Sequence, residues 1–366
     1  MVPYRPFGGF RFFLALLVLF SHSSWIYTSP DSLIRKVGLG NIGVMAFFVL
    51  SGFVIAEAAD TFYARKPWHF LANRFLRLIP TYVGALILSL MIHYLFWDSA
   101  VALENLSSAI EFKNSSFSWT NISFNFVGIS PFLSSSFFFK LFANNFTPYM
   151  FVHYSWAVLV EFYFYLGCFV LLIIDLKRRS SCWLGSCYIF LCMHLFSEYA
   201  VTLHRIFSFA PYFILGISFY RQKISSQRFW KWVGLFSFVA MIFHFSRYVQ
   251  GQINFGSKWW IGLSQPQNFI AILLLVLSVI ILQFLADQTV SKNVKSVDRV
   301  FGDLTYPLYL NQTAVLIVAF ALGTKESGIM IGALVWIVSI VIAQGSVIAI
   351  DRPITILRAT IRGRQL

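Results

Sequence analysis

The stretch GGFRFFLALLVLFSHSSW, residues 8–25, decides how the rest of the chain is read. It is long and apolar enough to cross a membrane as a helix, yet it carries Arg11 and His22. An α-helix repeats every ~3.6 residues, so a separation of eleven is about three turns. Both side chains therefore project from one face, about 16 Å apart along the axis. Charged and titratable groups are costly in hydrocarbon, so such a pair turns toward a bundle interior or a water-filled path. The stretch predicts a polar site embedded in a membrane.

Composition agrees. The 366 residues are 58% hydrophobic and only 11% charged, with mean hydropathy +0.73, whereas globular domains carry about 25% charged residues. The formal charge of +14 would suit nucleic acid only on a soluble fold with a basic face. Here the basic residues stand between apolar runs, as in a polytopic membrane protein, and nucleic acid is not expected as a partner. Cys168, Cys182, Cys187 and Cys192 lie in or beside apolar runs without metal-ligand spacing, so they read as small buried residues and no metal is expected. No small-residue cleavage site follows the first run, which reads as a retained span.

Ten runs can span about 30 Å of hydrocarbon: roughly 10–27, 41–59, 79–97, 151–174, 181–198, 205–220, 230–245, 266–285, 304–322 and 328–350. Starting on the cytoplasmic side, 20 of the 28 Lys and Arg residues fall inside, the bias expected with both termini cytoplasmic. The expected fold is thus an all-α integral membrane protein, a bundle of about ten transmembrane helices in a single membrane domain covering 1–366. Segment 98–150 is a long extracytoplasmic connection, and 351–366 a basic cytoplasmic tail. The aromatics of the long segment, among them Phe117, Trp119, Phe124, Phe126 and Phe132, suit a sugar or the membrane surface. Its Asn-x-Ser/Thr triplets at Asn105, Asn114, Asn121 and Asn145 carry little weight in so Asn- and Ser-rich a stretch.

Four motifs bear chemistry. In the first span, neutral imidazole can take a proton from a hydroxyl near neutral pH, which makes His22 a candidate general base. Arg11 offers a planar fork for phosphate or carboxylate, though a packed His and a snorkelling Arg would look the same. In NIGVMAFFVLSGFVIAEAA (41–59), Ser51-Gly52 permits close helix approach and a hydroxyl bond across helices. In RFLRLIP (74–80), Arg74 and Arg77 share a face if helical. They suit the phosphates of an anionic nucleotide at the cytoplasmic interface, or simple positive-inside anchoring. In HYSWAVLVEFYFYLG (153–167), Glu161 is a carboxylate in apolar surroundings, where it needs a cation such as Arg11 or a protonated His22.

These pieces, in this order, resemble the membrane acyltransferase-3 family of bacterial glycan O-acyltransferases. The shared elements are the Arg-x10-His pair (Arg11, His22), FFVLSGF (47–53), Arg-x-x-Arg (Arg74, Arg77), the Trp156–Tyr165 block with Glu161, FGDLTYPLYLNQ (301–312) and IDRP (350–353). Gln312 stands where many members have His, Met45 where Asp is frequent, and Ala157 in place of the usual Ser. The chain ends sixteen residues after its last expected span, as in members without an appended SGNH esterase-like domain.

The resemblance implies a multi-pass protein of the bacterial cytoplasmic (inner) membrane. It would transfer an acyl group, foremost acetyl, from acetyl-CoA to a hydroxyl of a surface polysaccharide such as O-antigen or of a lipid-linked sugar. His22, Glu161 and Arg11 are then the catalytic set, and Arg74, Arg77 and Ser51 the donor-binding set. Direct transfer and a covalent acyl-histidine relay are both open. The rival function is a secondary transporter or flippase for a lipid-linked sugar using the same polar groups. Such proteins often carry internal repeats, and none is evident in this sequence.

Overall fold

The computed structural model describes residues 4–29, 31–103, 110–127, 149–174, 208–249, 265–322 and 328–361. These residues form helices and connections, with no strand among them. Ten helices position the site: α1 (Gly8–Ser23), α2 (Leu39–Thr61), α3 (Pro67–Leu95), α4 (Trp156–Ile174), α5 (Ala210–Ile224), α6 (Phe229–Val249), α7 (Pro266–Leu285), α8 (Lys292–Ala321), α9 (Ile329–Ser346) and α10 (Arg352–Ile361). Eight helical segments among the described residues are long and apolar enough to cross a membrane. The expected span 181–198 lies outside the described residues, as do residues 205–207 of the sixth.

Helix α2 is apolar on every side, the pattern of a helix enclosed by others. It packs against α1 on one flank and α5 on another. The α2–α5 crossing is a backbone contact. A Cβ on Gly52 would sit 2.0 Å from the Phe213 carbonyl oxygen, and one on Gly216 would sit 1.9 Å from that of Val49. Small residues at such crossings let helix backbones touch, which substitutes dispersion contact for a hydrophobic drive that lipid cannot supply. Helix α5 is only 15 residues long, about 22 Å, and is buried along nearly its whole length.

Helix α8 is the second hub, packed on α1, α3 and α9. The Asp298 carboxylate closes the start of α1 by accepting from the backbone amides of Gly8 (2.9 Å) and Gly9 (2.7 Å) and from the Tyr4 hydroxyl (2.7 Å). An anion there satisfies orphan N–H groups and meets the positive end of the helix dipole. Burial, reinforced by Asp298, holds the Tyr4 hydroxyl above its usual titration range. A second charged layer at this end joins Arg5 to Glu57 (2.8 Å) and Arg221 to Asp60 (3.1 Å). Outward faces of α7 and α9 are apolar, with Leu273, Leu277, Ile280, Leu334, Ile337 and Val341 exposed, as surfaces bathed in lipid should be.

Three elements differ from the sequence reading or add to it. Helix α3 does not start near residue 79 but at Pro67, and it runs unbroken through Pro80. A proline costs one backbone bond, which surrounding helices can offset in a membrane bundle. The Arg-bearing turns are therefore part of the helix, not an interfacial connection. Asp351 closes a π-helical segment (Val347–Asp351) and residues 352–361 form α10, so the described part of the basic tail is helical. In the long segment 98–150, the described parts include helices Trp97–Leu103, Ile110–Ser116 and Trp119–Val127. There Phe117 packs on Trp97 and Phe151, while Trp119 is exposed. Asn121 is fully buried and donates to the carbonyls of Ser116 (2.7 Å) and Tyr149 (3.1 Å). Its triplet thus serves loop architecture and offers no glycan acceptor.

The Gly52–Gly216 crossing gives a direct test. Gly52→Ala or Gly216→Ala forces the helices apart and should cost at least 1–3 kcal/mol, as overpacking does, lowering the unfolding midpoint in detergent. Gly345→Ala, where a Cβ meets nothing within 4 Å, should leave the midpoint unchanged. Equal midpoints for all three would mean that the backbone contact is dispensable.

Candidate active site

One cavity of about 80 Å³ lies between α1, α2, α3, α4 and α8. A buried water needs roughly 10–15 Å³ by the same measure, so several small groups fit. Five of the six residues singled out in the sequence line it: Arg11, Ser51, Arg74, Arg77 and Glu161. Their convergence follows from helix periodicity. Arg74 and Arg77 share one face of α3, Glu161 sits on the second turn of α4, and Arg11 on the first turn of α1. Apolar side chains of α2, among them Val44, Phe47, Phe48 and Leu50, form much of the remaining wall.

Glu161 is the electrostatic centre of this cavity. Its Oε1 accepts from the Ser51 hydroxyl at 2.6 Å and from the Tyr165 hydroxyl, one turn on along α4. Ser51, which could have been mere packing, therefore anchors the carboxylate across a helix interface. Both Arg11 and Arg77 feel the Glu161 charge. Arg74 is buried, with its guanidinium carbon 5.4 Å from the Phe70 ring centre, 5.5 Å from that of Tyr165 and 5.9 Å from that of Tyr63. Cation–π contact is favourable for a desolvated guanidinium. The Arg-x-x-Arg pair thus faces inward, toward the cavity.

Three guanidiniums thus meet one carboxylate inside the cavity. Further negative charge reaches Arg77 from Asp303 on α8 and Asp351, and the Asp351 carboxylate also accepts from Thr81 on α3. These two acids went unassigned in the sequence, although each lies in a quoted motif, FGDLTYPLYLNQ and IDRP. Tyr306 and Tyr309, on adjacent turns of α8, also line the cavity, and Tyr306 donates to the Leu78 carbonyl at 3.1 Å.

His22 is not in the cavity wall. It stands at the far end of α1 with its ring stacked on Tyr154, the centroids 3.5 Å apart and the planes 10° from parallel. Tyr309 links the two places: its ring borders the cavity and its hydroxyl donates to the Tyr154 carbonyl at 2.5 Å. His22 Nδ1 is buried without a hydrogen-bond partner among the described residues. Met45, where relatives often carry Asp, is fully buried in the apolar core. Among the described residues no group of His, Cys, Asp and Glu could hold a metal ion, and Cys168 is free and buried.

Fold and site together define an integral membrane protein whose helices enclose a cationic cavity, with a half-buried histidine at the far end of α1. The family model described as "Acyltransferase domain", the acyltransferase-3 type, matches residues 7–350. That is nearly the whole chain, which belongs to this family and is a membrane acyltransferase. No curated protein and no solved structure gives a significant match.

Glu161→Gln keeps the shape of the side chain but leaves the guanidiniums short of counter-charge. Breaking such buried compensation costs about 3–5 kcal/mol, so the unfolding midpoint in detergent should drop sharply. Ser51→Ala removes one hydrogen bond to a carboxylate and should cost less, about 1.5–3 kcal/mol. A Gln variant as stable as wild type would show that the cavity needs no compensation from α4.

Proposed function

We propose that this acyltransferase moves an acyl group, foremost acetyl, from acyl-CoA to a hydroxyl of a surface polysaccharide or lipid-linked sugar in the bacterial cytoplasmic membrane. The observation that supports this most is the excess of guanidinium over carboxylate in one buried cavity. Arg11, Arg74 and Arg77 offer the forked donors that phosphate groups accept. Coenzyme A brings such phosphates together with a thioester on a long flexible arm. With both termini cytoplasmic, as the distribution of Lys and Arg favours, the arginine end of the cavity faces the compartment that holds acetyl-CoA.

The arm then has to carry the thioester the distance between Arg11 and His22, about 16 Å along α1, past Tyr309 and Tyr154. At that end His22 takes the proton of the acceptor hydroxyl as its oxygen attacks the thioester carbonyl carbon. The tetrahedral adduct collapses with cleavage of the C–S bond, and the departing thiolate takes the proton back from the imidazolium. The products are an ester and a free thiol, and atoms and charge balance without a metal or redox step. Glu161 holds the guanidiniums in place and does not act on the reacting atoms.

Transfer of label from radiolabelled acetyl-CoA to the glycan and lipid-linked fraction of membranes tests this reading. Wild-type membranes should label that fraction. His22→Ala should lower the rate by about 10²–10⁴-fold, the usual share of a general base, at near-normal abundance. More than a tenth of the wild-type rate in that variant would remove His22 from the role.

Arg77 separates donor binding from anchoring. Arg77→Ala should raise the KM for acetyl-CoA more than it lowers kcat, because a phosphate contact acts on ground and transition states alike. Arg77 suits this test better than Arg74, whose removal would also empty a packed aromatic box. An unchanged donor KM with reduced protein abundance would assign Arg77 to folding alone.

A further inference from the structure

The cationic cavity accounts for the donor, yet a second set of polar groups lies beyond it whose hydrogen-bonding capacity is largely unused within the described chain. Gln312 on α8 is 1% exposed, and neither its side-chain nitrogen nor its oxygen has a hydrogen-bond partner among the described residues. Its carboxamide lies within hydrogen-bonding reach of the His22 imidazole, and the buried His22 Nδ1 likewise makes no well-formed hydrogen bond among the described residues. The hydroxyl of Thr313, next along the helix and also buried, makes a fourth such atom. Leaving buried donors and acceptors unsatisfied is costly, and native structures rarely do so without a reason. Here three of them, both carboxamide atoms of Gln312 and Nδ1 of His22, belong to side chains in reach of each other.

The position of the cluster fits the second substrate. Tyr306 and Tyr309 of α8 line the donor cavity, and Gln312 continues the same i, i+3 row one turn further on. The Tyr309–Tyr154 hydrogen bond therefore joins a residue of the cavity wall to the residue stacked on His22. Its surroundings are neutral and aromatic. Ser23, Tyr27 and Trp336 form a hydrogen-bonded group at the same end of α1, with Ser23 Oγ 2.9 Å from the Tyr27 hydroxyl and 3.3 Å from Trp336 Nε1. Phe20 packs against both rings. Neutral hydrogen-bonding groups set among aromatic rings suit a polyhydroxylated, uncharged ligand far better than a phosphate.

We propose that His22 and Gln312 form the acceptor subsite, which takes a sugar bearing two neighbouring hydroxyls. The Gln312 carboxamide, with a donor and an acceptor side by side, holds one hydroxyl. The other, presented to His22, is the one acylated. This assignment rests on the acyl transfer proposed above, and it makes Gln312 a residue that selects the acceptor. In the transfer step Gln312 neither gains nor loses a proton; it fixes the sugar while the proton passes to His22.

The test uses purified full-length protein in detergent, radiolabelled acetyl-CoA, and a glycan and lipid-linked sugar extract of the producing cells as acceptor. Gln312→Leu keeps the volume but cannot hold a hydroxyl. The amount of extract giving half-maximal rate should rise about tenfold, as expected for a lost hydrogen bond to a buried polar group. The donor concentration for half-maximal rate should stay as in wild type. Because the variant also relieves two unsatisfied buried atoms, its unfolding midpoint without acceptor should equal or exceed that of wild type. Gln312→His, which again offers a donor and an acceptor, should recover part of the acceptor dependence. Wild-type acceptor dependence in Gln312→Leu overturns the proposal. So does a lower midpoint with donor and acceptor dependence altered alike, which would mark Gln312 as structural. Failure of the wild-type protein to label the extract at all overturns the acyl-transfer reading, and this assignment with it.

Discussion

A guanidinium has no neutral form to retreat to, and this chain places three of them around a cavity inside a membrane bundle. Much else in the structure answers that constraint. Glu161 is brought in from α4 and tied down by Ser51 from α2 and Tyr165 from its own helix. The Arg74 guanidinium is walled by three aromatic rings. The acids of α8 and the π-helical turn, Asp303 and Asp351, add charge that Arg77 feels from the other side. Helices α1, α2, α3, α4 and α8 must all be in register for this balance to hold, so the charge arrangement and the fold specify each other.

That arrangement also separates two tasks along one pair of helices. Helices α1 and α8 run against each other and carry a cationic end and a neutral end. Arg11 and Tyr306 belong to the first, His22 and Gln312 to the second. The cationic end lines its cavity with three guanidiniums and one carboxylate, and the neutral end holds buried polar atoms without well-formed hydrogen bonds among the described residues. Each end matches the chemistry of one substrate in an acyl transfer. Such incompletely satisfied sites are where a protein forgoes stability to gain binding.

The sequence carried the membrane class and most of the site, for a physical reason. Polar residues are so costly in apolar spans that each one stands out, which is how Arg11, His22, Glu161 and the Arg74–Arg77 pair were recognised. It began the third span near residue 79 because a proline six residues after Arg74 reads as a helix start; only the packing of neighbouring helices lets α3 continue through Pro80. Tyr154, Tyr306 and Tyr309 were not legible as site residues, since tyrosine is common in spans and at their edges. Nothing local marks which tyrosine faces a cavity. The role of Asp298 was hidden for a similar reason: the amides it caps lie 290 residues away, and no local pattern reports a contact of that range.

The separation of His22 from the cavity bears on how the enzyme avoids a wasteful reaction. In the proposed acyl transfer, water is the commonest competing hydroxyl, and a general base open to the cavity would hydrolyse the thioester whenever it bound. Here the Tyr154 ring covers one face of the imidazole and its carbonyl is held by Tyr309, and His22 lies outside the wall of the arginine-lined cavity. Excluding water from a reactive intermediate is a recognised use of a closed site, and the stacked geometry supplies the specific contact such an argument needs. On this view the two tyrosines matter less for the speed of transfer than for its direction, toward a sugar seated at Gln312 and away from solvent. In the proposed reaction, Tyr154 and Tyr309 would thereby set the partition between glycan acylation and thioester hydrolysis.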